Sequence, residues 1–304
     1  TINPLGNNIP EYFDNLVAGK SGADWITRFD ASLFKTRFAC EIKGYSPEKF
    51  GLDKKESRRN DLFTQYALVA SDEAIRDSHL DLDALDKDRA GVIVGSGIGG
   101  VETLFKEIKD YCDGGYEPRF SPFLVPMMIP DIAAGMISIK YGFRGPNYAT
   151  VSACSTSNHA MSDAFAMIRL GKADVMITGG SEAPITIPSI GGFNSAKAIS
   201  TNNEEYKTAS RPFDRTRDGF VVGEGAGILI FEEYNHAKAR GAKIYAEVGG
   251  AGLTGDAYHI TAPHPNGDGA RRVMALAVEE AGLQPRDVDY VNTHGTSTPL
   301  GDIV

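Results

Sequence analysis

Apolar side chains recur at helical spacing along much of the chain, and short β-branched runs ending in glycine lie between these stretches. The helical spacing predicts helices at 10–18, 62–78, 130–141, 160–170, 234–240 and 269–281, with a further helix ending near 111. Short apolar runs predict strands at 91–94, 150–151, 173–177, 243–250 and 289–292, and paired strands within 218–233. Residues 181–217, with three prolines and two glycines, are predicted to be a long connection.

The order of these elements repeats. Helix 62–78, strand 91–94 and a glycine-rich turn resemble helix 269–281, strand 289–292 and the turn 294–296. Strand–helix alternation in both halves predicts a duplicated α/β fold with an α-β-α-β-α layering of helices and sheets. We expect an N-terminal half over 1–242 with inserted loops and the start of a C-terminal half over 243–304, so that the second repeat is incomplete.

Composition narrows the class of protein. The chain has 304 residues, 42% of them hydrophobic and 23% charged, which is typical of a globular protein. Its net charge of −9 argues against a general nucleic-acid or anionic-membrane binder. Three scattered cysteines do not suit a disulfide framework or a zinc site, so we expect no metal and a reducing, cytoplasmic compartment. The apolar stretch 220–231 is interrupted by Glu224 and is too short to span a bilayer, and we expect no signal segment.

Cys154 lies where a predicted strand leads into a helix through a turn of small residues. Backbone N–H groups at a helix N-terminus favour the thiolate, which is the nucleophilic form of cysteine. Most cysteines are buried and inert, but a turn of serine, alanine and threonine offers little apolar cover. The pattern therefore favours a nucleophile at Cys154.

Residues 95–100 match G-x-G-x-x-G after a strand and before a helix, which suggests dinucleotide binding. That function also needs a second strand ending in Asp or Glu about twenty residues later. Residues 113–118 are instead a loop pattern, so we expect a glycine-rich turn that allows close approach, with Ile98 pointing into a pocket.

His294 follows a predicted strand among small and hydroxyl residues, where it could donate to an oxyanion or act as an acid or base. The alternative is a structural histidine, which we assign to His79, His159, His236 and His264, leaving His259 open. Lys55, Arg58 and Arg59 lie on or beside one helical surface and form either a solvated face or a docking patch for an acidic partner.

Six motifs occur together and in order: GSGIGG at 95–100, VSACSTS at 151–157, RPFD at 211–214, DGFVVGEGA at 218–226, DAYH at 256–259 and NTHGTST at 292–298. This set closely resembles the β-ketoacyl-acyl-carrier-protein synthases, the type II elongating enzymes most of all, over essentially the whole chain. The resemblance implies a thiolase fold, a homodimer, and elongation of fatty acids by decarboxylative condensation of malonyl carrier with a Cys-bound acyl chain. It implies no metal or redox cofactor, because phosphopantetheine belongs to the acyl carrier protein.

The resemblance also assigns roles. It places the acyl-accepting nucleophile on Cys154 and a catalytic histidine on His294. It matches Thr296, Thr298 and Thr261 to contacts with the pantetheine arm, and Ile98 and Phe193 to the acyl pocket. The positions that are basic for carrier docking fall on Lys55, Arg58, Arg59, Arg119 and Lys197.

The family pattern has a first strand before residue 1 and, after residue 304, a second histidine, a lysine and a glycine-rich loop. We therefore expect both ends to be cut and residues 1–304 alone to aggregate and fail to decarboxylate malonyl carrier. Because equivalent turns of a duplicated fold meet at its centre, we also expect the Cys154 sulfur and the His294 ring to lie within about 5 Å.

Two other classes of protein remain open from the sequence. A Cys–His thioester hydrolase or acyltransferase would use the same pair of side chains with a different acceptor. A non-catalytic partner like the chain-length factors of polyketide synthases would keep the fold, although the presence of Cys154 argues against it.

Overall fold

A computed structural model describes all 304 residues. The helices are α1 (Ile9–Val17), α2 (Lys54–Ser57), α3 (Leu62–Ser78), α4 (Val101–Asp113), α5 (Leu124–Met128), α6 (Ile132–Tyr141), α7 (Thr156–Arg169), α8 (Ile187–Ser195), α9 (Tyr234–Ala239) and α10 (Asp268–Glu280). The strands are β1 (Asp24–Trp25), β2 (Phe38–Ala39), β3 (Ala90–Gly95), β4 (Asn147–Tyr148), β5 (Val175–Glu182) and β6 (Gly225–Glu232). None of the helices is both long and apolar enough to cross a membrane.

A four-stranded sheet in the order β4-β3-β5-β6 forms the centre of the fold. Strands β4, β3 and β5 run parallel, and β6 runs antiparallel to β5. All six residues of β3 are buried, as expected for a parallel strand covered on both faces. Gly95 lies opposite Gly180, so β3 and β5 end at the same edge of the sheet.

Helices cover both faces of this sheet. Helices α3 and α6 pack on one face, where Phe63, Tyr66 and Ile137 join the main apolar core with no exposed surface. Helix α7 packs on the other face through Ala160 and Ala164, which allow its backbone to come close to β3 and β5. The result is a helix–sheet–helix sandwich, as the sequence predicted for the first half.

The predicted helices at 62–78, 130–141, 234–240 and 269–281 form within two residues of their expected bounds. In contrast, no strand forms at 243–250 or 289–292, so both of these predictions were wrong. Tyr245 and Tyr290 are 69% and 80% exposed. A strand needs hydrogen-bonding neighbours to be stable, and these two stretches have none in the structure.

Three other expectations required correction. Val151 is 59% exposed and outside any strand, because the pairing with β3 ends at Tyr148. Residues 218–233 contain one strand, β6, which pairs with β5 rather than with a strand of the same stretch. The connection after β5 contains helix α8, whose N-terminus is capped by the Thr186 hydroxyl.

Candidate active site

Cys154 lies in a 3₁₀ turn, Ala153–Ser155, that leads directly into α7. Thr156 holds this turn: its hydroxyl accepts from the Ser152 N–H at 2.8 Å, and its carbonyl accepts from the Thr150 hydroxyl at 2.8 Å. Ala153 has a φ of +52°, a left-handed conformation that costs free energy in a residue with a Cβ. This strained residue directly precedes the exposed Cys154.

Cys154 is exposed, and its surroundings differ from those of the other cysteines. Burial raises the pKa of the Cys40 thiol to about 11, with Lys43 opposing the shift. Cys112 is exposed near the C-terminus of α4, and no helix N-terminus lies beside it. Only Cys154 combines exposure with a position at the start of a helix.

An open cavity of about 400 Å³ surrounds Cys154 at the edge where the strands end. Its lining includes Gly95, Gly180 and Gly227 from three different strands. A Cβ on Gly95 would lie 2.2 Å from Cγ2 of Thr156, and one on Gly180 would lie 2.8 Å from Cβ of Ser157. The glycines are therefore needed for the start of α7 to reach the sheet.

The glycine-rich turn after β3 forms one wall of this cavity, and its donors converge on Glu182. Carboxylate oxygen Oε2 accepts from the Gly97 N–H at 2.6 Å, and Oε1 accepts from the Ser96 hydroxyl at 2.9 Å. Burial raises the pKa of Glu182, while these hydrogen bonds oppose the shift. The turn thus holds a carboxylate of the chain itself.

Glu224, the buried carboxylate of an ion pair with Arg28, forms another part of the lining. Glu224, with its side chain fully buried, accepts from Arg28 at 2.5 Å and from the Ile42 N–H at 2.8 Å. Burial raises the pKa of Glu224, and the Arg28 guanidinium opposes that rise. No lysine or arginine lines the Cys154 cavity.

The loop that carries His294 is anchored on the first half of the chain by Ser297. The Ser297 carbonyl accepts from the Gly219 N–H at 3.0 Å, and its hydroxyl accepts from the Arg211 N–H at 3.1 Å. The Arg217–Asp302 pair, 3.3 Å apart and largely buried, closes the same loop. Arg217 and Ser297 therefore tie the two predicted halves together.

The structure brings only some of the predicted site residues together. The hydroxyls of Thr296 and Thr298 lie 3.1 Å apart, whereas His294 is exposed. Neither threonine nor His294 lines the Cys154 cavity, and no hydrogen bond joins His294 to Cys154. The approach of His294 to Cys154 within about 5 Å stays a prediction.

The remaining predicted substrate contacts are dispersed. Ile98 is 44% exposed on the turn that Glu182 holds. Phe193 is half-buried on α8 and meets Phe220 edge to face at a centroid distance of 5.1 Å. Thr261 is exposed, and its N–H donates to Nδ1 of His259 at 3.1 Å.

The predicted docking residues all lie at the surface. Lys55 and Arg58 are exposed at α2 and its C-terminal cap, and Arg59 stacks over the Phe123 ring at 4.8 Å. Arg119 pairs with Glu117 at 2.9 Å, and Lys197 is exposed after α8.

The other histidines make local contacts. His159 hydrogen bonds to the Ser152 hydroxyl at 2.7 Å, and His236 to Glu232 at 2.5 Å. His79 ends α3 in a left-handed conformation, and the His264 ring packs on Tyr258. The structure contains no group of three or more His, Cys, Asp or Glu residues arranged to hold a metal ion.

Two family models match consecutive parts of the chain: the β-ketoacyl synthase N-terminal domain over residues 1–237 and the C-terminal domain over residues 245–304. The chain belongs to the β-ketoacyl synthase family. It is 51% identical over 302 residues to 3-oxoacyl-[acyl-carrier-protein] synthase 2 of Staphylococcus aureus, covering 99% of this chain and 74% of that protein. The corresponding synthase of Synechocystis is 48% identical, with 99% and 72% covered.

Solved structures of the family agree in fold. A β-ketoacyl synthase from Burkholderia phymatum STM815 superposes with a TM-score of 0.89 at 34% identity, covering 99% of this chain and 73% of that chain. The resemblance found in the sequence and the thiolase-like α/β fold are thereby confirmed. As a member of this family the chain is a condensing acyltransferase, and the family uses no cofactor of its own.

The sequence did not predict that Glu182, Arg217 and Asp302 belong to the site. The RPFD and DGF motifs flank Arg217 and were a signal for that region, but nothing in the sequence linked it to Asp302. Glu182 follows two glycines at a strand end, and only the fold brings it to the turn at Gly97.

Proposed function

We propose that this protein extends an acyl chain by two carbons, using malonyl carried on an acyl carrier protein as the donor. The observation that carries this proposal is the exposed Cys154 at the start of α7, beside a cavity at the sheet edge. Relatives whose names specify 3-oxoacyl-[acyl-carrier-protein] synthase support the choice of carrier and reaction.

In the first step, the Cys154 thiolate attacks the thioester carbonyl of an acyl carrier. The carrier leaves as a thiolate, which takes a proton from solvent, and the acyl chain stays on the Cys154 sulfur. The backbone N–H of Cys154 itself is suited to stabilise the tetrahedral oxyanion.

In the second step, malonyl carrier loses CO₂ and the resulting enolate carbon attacks the acyl–Cys154 carbonyl. We propose that His294 donates a hydrogen bond to the enolate oxygen, and that Thr296 and Thr298, with Thr261, bind the pantetheine arm. Collapse of the second tetrahedral intermediate breaks the carbon–sulfur bond, regenerates the thiolate and releases a β-ketoacyl carrier. Ile98 and Phe193 are proposed to contact the acyl chain.

The acyl carrier protein is the proposed macromolecular partner, docking on the basic surface of Lys55, Arg58, Arg59, Arg119 and Lys197. A solved complex of a type II polyketide acyl-carrier protein with its ketosynthase, whose fold is similar at a TM-score of 0.88 and 30% identity over 99% of this chain and 73% of that one, supports this assignment. The exposure of all five cations is compatible with docking.

We also propose a homodimer and a cytoplasmic location. Strand β4 is an edge strand of the sheet. Neither α4 nor α5 contains a buried residue. Phe120, between these two helices, and Val125, in α5, are 46% and 60% exposed. Pairing of two copies along β4 would satisfy its unpaired backbone groups, and an interface over α4 and α5 would cover the exposed apolar side chains. Sedimentation equilibrium that returns the mass of one chain at micromolar concentration would contradict the dimer. All three cysteines are free, as expected in a reducing compartment.

The proposed function predicts that Cys154 is the only cysteine acylated by an acyl carrier. The full-length protein is incubated with acyl carrier, and the adduct is mapped by mass spectrometry, with Cys154→Ala as the control. Condensation is then measured by the release of labelled CO₂ from malonyl carrier. Acylation of Cys40 or Cys112 with Cys154 free, or thioester loss without CO₂ release, would contradict the proposal.

A further inference from the structure

The turn between β3 and α4 is organised around the Glu182 side chain. In addition to the bonds from Ser96 and Gly97, the carboxylate accepts from the Ile98 N–H at 3.2 Å. Ser96 in turn accepts from the Gly99 N–H at 3.1 Å. One carboxylate at the end of β5 therefore fixes the backbone of four consecutive residues, directly or through Ser96.

Convergent backbone N–H groups of this kind form an anion-binding nest. In a dinucleotide-binding fold, such a glycine-rich turn after a strand offers its N–H groups to a pyrophosphate. Here the carboxylate of Glu182 already occupies these donors. The glycine-rich motif therefore has an internal ligand, which accounts for the motif without a nucleotide.

The turn lies between Glu182 and the nucleophile. A Cβ on Gly97 would be 2.8 Å from Oε2 of Glu182 and 3.5 Å from the Ala153 carbonyl oxygen, so no side chain fits between them. Ser96, Gly97, Cys154 and Glu182 all line one cavity. A displacement of the turn therefore changes the wall beside Cys154.

The same turn carries an exposed apolar side chain. Only three of the sixteen residues that line the Cys154 cavity are hydrophobic, namely Ala153, Cys154 and Ala226. Ile98, 44% exposed and held through its own N–H by Glu182, is a large apolar group on the turn that forms this wall. An acyl chain that leaves Cys154 toward the turn would gain apolar contact there.

We infer that Glu182 is a positioning residue that fixes the turn at Ser96–Gly99 and so sets the room available to an acyl chain on Cys154. This inference rests on the proposed function, since it concerns the acyl group that Cys154 receives. It assigns Glu182 no contact with the reacting atoms.

The test is the chain-length dependence of Cys154 acylation in Glu182→Gln. An amide has one acceptor oxygen instead of two, so at least one donor of the turn loses its partner. The full-length protein is treated with hexanoyl- and tetradecanoyl-coenzyme A, and the acylation rate constants are measured by mass spectrometry. A turn with fewer hydrogen bonds can move aside for a longer acyl chain. We therefore expect the ratio of the tetradecanoyl to the hexanoyl rate constant to rise at least about threefold.

Glu41→Gln is a matched control. Glu41 is 2% exposed, and its carboxylate accepts from the Thr27 N–H at 2.9 Å and the Thr27 hydroxyl at 2.7 Å. It does not line the Cys154 cavity. We expect this variant to lose thermal stability, as Glu182→Gln does, but to keep the wild-type ratio of rate constants.

Ser96→Ala gives a second, milder change at the same place, because it removes one donor to Glu182 and the acceptor of the Gly99 N–H. Ser96→Ala should also raise the ratio of the two rate constants. The test therefore stays decisive if Glu182→Gln does not fold. If the ratio of the tetradecanoyl to the hexanoyl rate constant is less than three times the wild-type ratio in every folded variant of this turn, the positioning role is overturned. The proposed function would remain intact. A wild-type protein that is not acylated at Cys154 would contradict both.

Discussion

At the scale of single residues, Cys154 is presented by a short strained turn. Ala153 has a φ of +52°, and the Thr156 hydroxyl and carbonyl hold the chain on both sides of it. A strained residue persists only where its surroundings determine it fully, and such residues concentrate at functional sites. The geometry is therefore an independent indication that Cys154 has a chemical role.

His294 is predicted to act in decarboxylation and not in acyl transfer to Cys154. For His294→Ala we expect CO₂ release from malonyl carrier to fall about 10²–10³-fold, the usual cost of removing one oxyanion donor. Acylation of Cys154 should persist, because the backbone donors and the thiolate remain. The two steps are measured separately, by labelled CO₂ and by mass spectrometry of the acyl enzyme.

His264→Ala serves as the control, since the His264 ring packs on Tyr258 and its backbone N–H donates to Asp256. It should leave both steps near the wild-type rate. An equal loss of acylation and decarboxylation in His294→Ala would contradict the division of roles.

Among the elements, the start of α7 packs closely against the edge of the sheet because Gly95 of β3 and Gly180 of β5 have no Cβ to block it. The two helices on the opposite face, α3 and α6, bury larger side chains and provide most of the core. Elements farther from the site depend on polar ties. Arg240, at the C-terminal end of α9, forms such a tie with Glu232 at the end of β6. Its Nε and Nη2 atoms each donate to one carboxylate oxygen of Glu232 at 2.7 Å.

We predict that Arg240→Gln lowers the free energy of unfolding by about 2 kcal/mol at neutral pH, the usual contribution of hydrogen bonds to a charged group. The Arg240 and Glu232 side chains are 23% and 8% exposed, so solvent screens the pair only weakly. The value is measured by urea denaturation. Arg144→Gln is the control, because the Arg144–Asp88 pair is 64% and 68% exposed and should contribute little.

The same pair predicts a pH dependence with a definite sign. Burial would raise the pKa of Glu232, but hydrogen bonds from Arg240 and His236 outweigh burial and hold that pKa below its ordinary value. The stabilisation is then fully present above the unfolded-state pKa and is lost as the pH falls through the folded-state pKa. The difference between wild type and Arg240→Gln should therefore shrink below about pH 4.3. A difference that grows on acidification would contradict this account.

At the scale of the whole molecule, recognition of an acidic carrier must overcome a net charge of −9. A local basic surface can do so, because exposed charges act within about a Debye length. We predict that Arg58→Glu with Arg59→Glu weakens binding of the acyl carrier about tenfold, and more at low salt. Binding is measured by titration calorimetry, and turnover of a small acyl thioester without carrier should barely change.

Arg271→Glu with Arg272→Glu is a matched control for this experiment. It reverses two adjacent arginines that are 70% and 44% exposed, with the same change in net charge. Carrier binding should remain near wild type in this control. Equal losses with the carrier and with the small thioester would show that Arg58 and Arg59 act on the site or on stability instead of docking.

Local sequence patterns are enough to predict the main helices, the β3 and β5 strands and the position of Cys154 before a helix. These features depend on local periodicity, on glycine stops and on residue chemistry that acts over a few positions. The ordered motifs also determined the family. The nucleophile could be predicted from 151–157 alone, because the small residues around Cys154 are adjacent to it in the chain.

Other features depend on contacts between residues that are distant in sequence. The apolar patterns at 243–250 and 289–292 predict strands, but no neighbouring strand pairs with them in the fold, so they stay irregular. The glycine-rich turn at 95–100 was ambiguous until Glu182, more than eighty residues away, proved to accept its N–H groups. Anchoring of Ser297 by Arg211 likewise joins residues 86 positions apart. Such pairings are chosen by packing of the whole chain, and no local pattern encodes them.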